Sequence, residues 1–271
     1  MSEQQPEGRR EVAGRFSLEG KRALVTGGSL SMGRAIALGL AAAGAAVAIQ
    51  YSSDADATFG RREGASETLA ALQAYGPAVG IAADFRTSAA ARGIVADAEK
   101  ALGPLDVLVI AASVQQRVDF FAVTEEEIAR EVAVNFTATI ALLQAALPGM
   151  MARGYGRILA IGSINQTRPD PDLAVYAALK AAQHNLILAL ARRFAPTGVT
   201  LNTLSPGLIA TERNRWRRAD AADWAEIQRA ANPVGRAGVP DEVVGAALLL
   251  CSDTARFITG SDLQVTGGGH L

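Results

Sequence analysis

The stretch Arg22–Gly33 reads RALVTGGSLSMG, a short apolar run followed by a turn rich in glycine and serine and by the start of an alanine-rich segment. An apolar run without polar alternation is typical of a strand buried on both faces of a parallel sheet. Glycines between such a strand and a helix let the backbone approach a phosphate, and the helix N-terminus presents N–H groups to it. The stretch predicts a strand–turn–helix unit that binds dinucleotide phosphates, although a tightly packed turn without a ligand has the same composition.

Strand-like and helix-like segments alternate along the rest of the chain. Buried-strand patterns occur at Arg22–Thr26, Ala46–Gln50, Ala78–Ala82, Asp106–Ile110, Arg157–Ile161, Val199–Leu204 and Leu263–Val265. Helical patterns lie between them, at Gly33–Ala43, Glu63–Tyr75, Thr87–Leu102, Glu125–Met151, Ala174–Phe194 and Asp241–Leu250. Strands that alternate with crossover helices form parallel sheets covered on both faces. The chain is therefore expected to fold as one α/β domain, a doubly wound, Rossmann-like parallel sheet.

Two regions depart from this alternation. Residues 1–17 are polar and charged with little to bury, which predicts a flexible N-terminal tail before a single catalytic domain at residues 18–271. Thr211–Asp223 (TERNRWRRADAAD) interrupts the pattern with several arginines and Trp216. We expect a substrate lid around residues 208–235.

The composition excludes several classes of protein. With 49% hydrophobic residues, 20% charged residues and a net charge of -1 over 271 residues, the chain is globular and has no basic excess for nucleic acid or an anionic membrane. One cysteine, Cys251, excludes an intrachain disulfide framework, and two distant histidines, His184 and His270, argue against a metal site. No apolar run reaches the roughly 20 residues of a membrane span, and Met1–Arg15 lacks the apolar segment of a secretory signal. We expect a cytoplasmic enzyme.

The end of the second predicted strand bears on the choice of dinucleotide. Gln50–Ser53 reads QYSS, without the acid that holds the ribose 2′-hydroxyl of NAD in many dinucleotide sites. Such an acid repels a 2′-phosphate, so its absence favours NADP. The hydroxyls of Ser52 and Ser53 are candidate donors to that phosphate. Asp54 and Asp56 follow closely and leave NAD open.

The sequence Tyr176-Ala-Ala-Leu-Lys180 is the strongest local signal for chemistry. Residues four apart share one helix face, and an ammonium beside a phenol lowers the pKa of the phenol. Tyr176 is thereby a candidate proton donor and acceptor near neutral pH. Ser163 follows the strand Arg157–Ile161, at the edge of the sheet where the next helix brings Tyr176. Its hydroxyl is a candidate to hold a carbonyl or alkoxide oxygen, although the residue taken alone is more typical of a turn serine.

From Phe16 to Leu271 the chain resembles the short-chain dehydrogenase/reductase family, in its compact subtype with a YxxxK motif. The resemblance rests on motifs in the family's order: Thr26-Gly27 with Gly33, Asp84, Asn135, Ser163, Tyr176 with Lys180, Asn202 with Pro206-Gly207 and Thr211, and Ile258-Thr259-Gly260 with Gly267-Gly268. It implies reversible hydride transfer between a nicotinamide cofactor and a carbonyl carbon. The short Tyr–Lys spacing argues against the family's enoyl reductases.

The resemblance also implies roles for individual residues. The catalytic residues are Asn135, Ser163, Tyr176 and Lys180. The cofactor, NADP rather than NAD, is expected to contact Gly27, Ser29, Ser31, Met32, Gly33, Tyr51, Ser52, Ser53, Asp84, Phe85, Ala111, Tyr176, Lys180, Pro206, Gly207, Ile209 and Thr211. Ser163 holds the carbonyl oxygen, Tyr176 protonates it, and Lys180 binds the nicotinamide ribose. Asn135 is expected to hold a water that links Lys180 to solvent.

Two departures from the family's pattern put cofactor affinity in question. Ser31 stands where the family's phosphate loop has glycine, so a side chain crowds the pyrophosphate position. Ile110–Ser113 (IAAS) replaces the family's N-N-A-G, and both asparagines are lost. A non-catalytic cofactor-binding or scaffold protein of the same fold is therefore an alternative to the enzyme.

The substrate is less clearly defined by the sequence. Polar residues after Ser163 favour a small polar or hydroxylated carbonyl compound. Arg168, Arg213 and Arg215 are candidates to bind a carboxylate or phosphate on it, although solvated lid arginines are the more common case. A 3-oxoacyl thioester is the alternative substrate. The long helices Glu125–Met151 and Ala174–Phe194 are apolar over more than one stripe, which favours a homotetramer or homodimer.

Overall fold

In the computed structural model, which describes residues 14–271, seven parallel strands form one sheet in the order β3-β2-β1-β4-β5-β6-β7. The strands are β1 (Arg22–Thr26), β2 (Ala46–Tyr51), β3 (Ala78–Ala82), β4 (Val107–Ile110), β5 (Gly156–Ile161), β6 (Val199–Pro206) and β7 (Asp262–Val265). The predicted parallel sheet is confirmed, with small differences at the strand ends. The predicted flexible tail, residues 1–17, lies mostly outside the described residues.

The helices that cover the sheet are α1 (Ser31–Ala42), α2 (Ser53–Thr58), α3 (Gly64–Gln73), α4 (Ser88–Leu102), α5 (Glu125–Val132), α6 (Ala138–Arg153), α7 (Ala174–Phe194), α8 (Ala221–Ala231) and α9 (Val244–Cys251). Shorter 3₁₀ turns lie at Phe120–Ala122, Ile164–Gln166, Pro171–Leu173, Ala195–Thr197, Glu212–Arg218, Pro240–Val243 and Asp253–Ala255. Side-chain caps explain where several of these helices begin. Thr124 and Glu127 form a capping box at the start of α5, and the Asp220 carboxylate accepts two backbone N–H groups at the start of α8.

The strand order creates a crevice at the carboxyl edge of the sheet. The chain builds outward from β1 to β3 and then returns to place β4 on the other side of β1. The loops after β1 and β4 therefore diverge, and ligands of doubly wound sheets bind in the crevice between them.

Apolar side chains fill both faces of the sheet. One core lies between the sheet and α4, α6 and α7, and the other lies under α1 and α9. The stretches Glu125–Arg153 and Pro171–Thr197 are long and apolar enough, by length and composition alone, to cross a membrane. In this fold 44% and 33% of their most apolar windows are buried, and buried core helices of globular proteins have the same composition.

The segment predicted as one helix, Glu125–Met151, is interrupted. A π-helical turn at Ala133–Thr137 separates α5 from α6. Within this turn the Asn135 side chain accepts a hydrogen bond from Val114 N at 3.0 Å and donates one to Val114 O at 2.8 Å. π turns insert one residue into a helix and are frequent at functional sites. A tertiary contact that periodicity does not report therefore overrides the regular helix.

The Asn202 side chain links β6 to the C-terminal motif around Ile258-Thr259-Gly260. Its side-chain amide donates to Ile258 O at 2.9 Å, and its Oδ1 accepts from Ser261 N at 3.0 Å. These two bonds hold the loop that enters β7 against the middle of β6. The end of β6, and the Pro206–Thr211 segment after it, is thereby fixed above the crevice.

Candidate active site

A cavity of about 1380 Å³ runs along the carboxyl edge of the sheet. Most of the predicted site residues line it: Gly27, Ser29, Ser31, Met32, Gly33, Ser52, Asp84, Phe85, Ala111, Ser163, Tyr176, Lys180, Pro206, Gly207, Ile209 and Thr211. Its wall does not include Tyr51, Ser53 or Asn135, and the last of these lies fully buried behind it. The fold thus brings together residues that are up to 184 positions apart in the chain (Gly27 to Thr211).

The glycine-rich turn after β1 is packed so closely that side chains are excluded. A Cβ at Gly33 would lie 2.1 Å from Gly27 O, and one at Gly27, where φ is +63°, would lie 2.9 Å from Ala112 Cα. The buried Gln50 side chain fixes this turn, because its Oε1 accepts from Gly27 N at 2.9 Å and its Nε2 donates to Ala83 O at 2.7 Å. Gln50 has a structural role that the sequence analysis missed. The sequence signal for this role is that Gln50 is the one polar residue in the otherwise apolar run AVAIQ.

Ser31 adopts the backbone conformation that suits the glycine it replaces. Its φ is +52°, and it is the one non-glycine residue with positive φ among residues 14–271. For a residue with a Cβ this conformation costs roughly 1–2 kcal/mol. Its hydroxyl donates a hydrogen bond to Glu212 Oε2. The strained residue therefore connects the phosphate loop to the start of the predicted lid.

Thr26 holds the backbone after β4, where the sequence lacks both of the family's asparagines. Its hydroxyl oxygen accepts from Ala111 N at 3.0 Å and from Ala112 N at 3.1 Å. The backbone beside the phosphate turn is thereby held without an asparagine. Ser113, the next residue, accepts hydrogen bonds from Arg213 at its carbonyl oxygen (2.7 Å) and its hydroxyl (3.2 Å).

The far end of the cavity, beside β2, has no acid at the strand tip. Ser52 caps α2, and Asp56 on that helix is buried and accepts a hydrogen bond from the Ser29 hydroxyl at 2.9 Å. Burial raises the pKa of Asp56 above its ordinary value, while the bond from Ser29 opposes the change. Arg86 lines this end and forms an ion pair with Asp84 at 3.1 Å. The Arg86 guanidinium thus lies between two carboxylates of the cavity wall, because Asp54 is also within 3.9 Å of it.

Ser163, Tyr176 and Lys180 meet at the centre of the cavity. Ser163 and Tyr176 both line the cavity, the Ser163 side chain lowers the pKa of Tyr176, and the Lys180 ammonium lies 5.8 Å from the centre of the Tyr176 ring. Lys180 donates to Ile161 O, at the end of β5, at 2.7 Å. Asn165 holds the Ser163 hydroxyl in place with donors at 3.1 and 3.3 Å. The predicted catalytic pair and its serine thus form one cluster.

Burial dominates the ionisation of this cluster. It raises the pKa of Tyr176 above its ordinary value, and the Arg213 guanidinium opposes that change. Burial, assisted by Arg213, lowers the pKa of Lys180 to about 7. Arg213 is therefore a second cation that acts on Tyr176, in addition to Lys180, which the YxxxK spacing predicts for this role. Lys180 is itself desolvated, and burial favours its neutral form.

Asn135 lies behind the cluster rather than in its wall. Both polar atoms of its side chain bond to the backbone of Val114, as described above. Its carbonyl oxygen accepts hydrogen bonds from Thr139 Oγ1 at 3.1 Å and from Gln183 Nε2 at 3.4 Å. The connection from Asn135 to Lys180 runs through the Gln183 side chain, a residue that the sequence analysis did not single out.

Arginines face the cavity from the segment that contains the predicted lid. Arg213 and Arg217 line the cavity, as does Arg168 from the loop after β5, whereas Arg215 is exposed and does not line it. None of Arg168, Arg213 and Arg217 forms an ion pair with a carboxylate within residues 14–271. Acidic groups act on two of these arginines at longer range, because Glu131 interacts electrostatically with Arg213, and Asp170 with Arg217.

Comparisons with known proteins agree with this site. A family model described as enoyl-(acyl carrier protein) reductase matches residues 27–270. The acetoacetyl-CoA reductase of Rhizobium meliloti (strain 1021) is 35% identical over 249 residues, 92% of this chain and 98% of the relative.

Solved structures cover nearly the whole chain. The 3-oxoacyl (acyl-carrier-protein) reductase from Agrobacterium tumefaciens C58 with NADP bound matches with a TM-score of 0.90 and 42% identity, over 97% of this chain and 100% of that one. A gluconate 5-dehydrogenase from Burkholderia cenocepacia J2315, in complex with NADP and tartrate, matches with a TM-score of 0.85 and 32% identity, over 94% and 97%.

The doubly wound sheet, the phosphate turn and the Ser–Tyr–Lys cluster define a nicotinamide-dependent oxidoreductase. The chain belongs to the short-chain dehydrogenase/reductase family. It is accordingly an NAD(P)-dependent enzyme that interconverts a carbonyl and an alcohol by hydride transfer.

Proposed function

We propose that the enzyme uses NADP to reduce the carbonyl group of a small, polyhydroxylated compound that carries a carboxylate or phosphate, and catalyses the reverse oxidation. The observation that carries the substrate class is Arg213. Its guanidinium is held above Tyr176 by Ser113 and Gln115 and has no described carboxylate partner. A half-buried cation of this kind is stabilised by an anionic group on the substrate.

The residues present fit a dinucleotide. Gly27 and Gly33 let the turn pack against its own backbone and against Ala112, so that the turn borders the cavity without side chains at these positions. The ordered turn opens onto the N-terminus of α1, which favours negative charge. At the β2 end, the side chains of Ser52 and Arg86 and the absence of an acid at the strand tip support NADP over NAD.

The chain's own residues hold the substrate and move a proton. When bound, NADPH supplies the hydride to the carbonyl carbon. Ser163 donates a hydrogen bond to the carbonyl oxygen, and Tyr176 transfers its phenolic proton to that oxygen as the alcohol forms. Arg213 lowers the cost of the phenolate that remains, and Lys180 holds the nicotinamide ribose. The Tyr–Lys spacing supports a carbonyl rather than an enoyl substrate.

A 3-oxoacyl thioester is the second candidate substrate. The observation that favours it is the similarity to the acyl-carrier-protein and coenzyme A reductases described above, of which the Agrobacterium protein is 42% identical. The gluconate dehydrogenase bound to tartrate, a hydroxylated dicarboxylate, favours the first candidate.

Steady-state kinetics with three carbonyl substrates tests the proposal: a keto sugar acid, a neutral ketose and acetoacetyl-CoA, each with NADPH. Arg213→Gln is expected to raise KM for the keto sugar acid roughly 10–100-fold, as for a lost charged hydrogen bond, and to change KM for the neutral ketose much less. Arg215→Gln is the control, because Arg215 is exposed outside the cavity. Equal effects of Arg213→Gln on both substrates, or turnover of acetoacetyl-CoA alone, would contradict the substrate class.

The same assay tests the catalytic assignment. Tyr176→Phe is expected to abolish turnover and to leave NADPH binding nearly intact, whereas Tyr75→Phe, at an exposed surface position, is expected to change neither. Unchanged turnover by Tyr176→Phe would overturn the enzyme mechanism and favour the scaffold alternative.

We also propose that residues 208–235 act as the substrate lid, that the protein is cytoplasmic, and that it assembles as a homotetramer or homodimer. Support for the lid is the pair of contacts from Glu212 and Arg213 across the cavity. Support for assembly is the apolar surface of α6 and α7 that the sheet leaves uncovered. Light scattering on the purified protein distinguishes a monomer from either oligomer.

A further inference from the structure

The buried face of α7 carries an unexpected third polar side chain. Tyr176, Lys180 and Gln183 follow one another at helical spacing, and Lys180 and Gln183 are only 2% and 1% exposed. A buried amide destabilises a fold unless its polar atoms find partners. The contacts of Gln183 therefore indicate what the residue does.

Gln183 bridges the lysine to the helix turn behind it. Lys180 Nζ donates to Gln183 Oε1 at 3.1 Å. Gln183 Nε2 donates to Thr139 Oγ1 at 2.8 Å and to Asn135 O at 3.4 Å. An ammonium has donors and no acceptor, so it selects the amide oxygen and fixes the orientation of the side chain.

The π-helical turn makes this bridge possible. Asn135 lies in the turn, and its carbonyl oxygen accepts from the side chains of Thr139 and Gln183. Asn135 and Thr139 are 0% and 1% exposed, so the whole chain of bonds is shielded from solvent. Hydrogen bonds are stronger in such surroundings, which makes the bridge rigid.

We propose that Gln183 is a positioning residue for the hydride-transfer reaction, because its Oε1 holds the Lys180 ammonium in place beside Tyr176. The opposite end of the amide anchors this contact on Asn135 and Thr139. Gln183 thus makes directly the connection from Lys180 to Asn135 that the family resemblance assigns to a water. The inference rests on the proposed roles of Tyr176 and Lys180.

Few titratable or charged groups lie near the Lys180 ammonium. On α7 these are Tyr176 and, one turn away, His184, whose ring bonds Thr203 Oγ1 at 3.1 Å. Arg213 acts on Lys180 from the lid and disfavours its charge. Glu131, on α5, acts on Tyr176. From β5, the π turn and α6, the groups that face Lys180 and its bridge are neutral: the carbonyl oxygens of Ile161 and Asn135 and the hydroxyl of Thr139. With no described carboxylate against the ammonium, the Gln183 oxygen is a major source of its stabilisation.

Direct titration of Lys180 tests the proposal. The chain has three lysines, Lys21, Lys100 and Lys180, so ¹³Cε-lysine labelling gives three signals. The signal missing from Lys180→Met identifies the third. In the cofactor-free protein, Gln183→Met is expected to lower the Lys180 midpoint by about one pH unit, and Gln183→Glu to raise it by about one unit or more. Asn185→Ala, which removes an exposed amide from the same helix, is expected to leave it unchanged.

The pH profile of carbonyl reduction gives the second readout. Activity that needs charged Lys180 falls as pH rises through the lysine midpoint, so this alkaline limb is expected to move down in Gln183→Met and up in Gln183→Glu. A packing role would lower the rate in both variants without moving the limb in opposite directions. Unmoved Lys180 midpoints would overturn the contact, and moved midpoints with an unmoved limb would overturn the positioning role.

A failure of the proposed function would be seen in a different measurement, the turnover of Lys180→Met. If Lys180→Met retained full turnover, the assigned role of Lys180 would be wrong whatever Gln183 does. The lysine signals would still report the Gln183 contact, because that measurement uses neither substrate nor cofactor.

Discussion

Replacing Lys180 by methionine should remove most of the pH dependence of folding stability between pH 7 and pH 9. Burial lowers the pKa of Lys180 from 10.5 to about 7 in the folded protein. Between these two values the unfolded chain binds a proton that the folded protein does not. Stability therefore rises with pH across this window, and the charge penalty is fully present below about pH 7. The contribution amounts to about 2 kcal/mol from pH 7 to pH 9, at roughly 1.4 kcal/mol per pK unit.

Urea denaturation at pH 7, 8 and 9, followed by circular dichroism at one protein concentration, measures this slope. The methionine side chain that replaces the lysine cannot titrate. The free energy of unfolding of Lys180→Met should therefore change little between pH 7 and pH 9, whereas that of the wild type should rise. Burial also raises the pKa of the Cys251 thiol to about 12, so the unfolded chain releases this proton first and stability falls slightly as pH approaches 9; the effect is common to both proteins and cancels in their difference. Parallel pH dependences for the two proteins would show that Lys180 keeps an ordinary pKa and would refute the reasoning.

Two further predictions concern the phosphate turn. Ser31→Ala keeps the strained φ of +52° and loses the bond to Glu212, whereas Ser31→Gly loses the bond but relieves the strain. Ser31→Ala should therefore unfold in urea with a free energy about 1 kcal/mol below that of Ser31→Gly, and equal stability of the two would contradict the strain. Gly33→Ala places a Cβ 2.1 Å from Gly27 O and should weaken NADPH binding more than tenfold in a fluorescence titration. Gly93→Ala is the control, because Gly93 lies on α4 with open space around it, and this variant should bind NADPH like the wild type.

The departures from the family's glycines share a structural consequence. Ser31 stands at one such position and Ser113 at another, and each hydroxyl contacts a lid residue, Glu212 and Arg213 respectively. The two lid residues are adjacent in sequence. The substitutions that suggested a damaged cofactor site thus connect the predicted lid to both loops of the crevice, which favours an enzyme over a scaffold.

Arg213 has two opposite effects in this arrangement. It favours the Tyr176 phenolate, and it disfavours the Lys180 ammonium. If the lid opens, both effects weaken together. We therefore expect the ionisation of Tyr176 and Lys180 to depend on the position of the proposed lid, through a guanidinium held by Ser113 at 2.7 Å.

Local patterns in the sequence determined the sheet, the phosphate turn and the Tyr176–Lys180 pair. Buried strands, crossover helices and residues four apart on one helix are set by neighbours in the chain, and their periodicity is visible without a structure. The interruption of the helix at Ala133–Thr137 was not visible, because its cause is the bond between Asn135 and the backbone of a distant loop.

The tertiary structure alone decided which polar groups meet. Gln183 and Asn135 are 48 residues apart, and Arg213 and Ser113 are 100 apart. Within its own segment, none of these four residues carries a sequence signal for its contact. Their partners follow from how helices and loops converge at the carboxyl edge of the sheet, and burial there sets their energies. The sequence therefore indicated the groups that we propose for the chemistry, whereas the packing around them determined that Arg213 also acts on Tyr176 and that Gln183 and Ile161 hold Lys180.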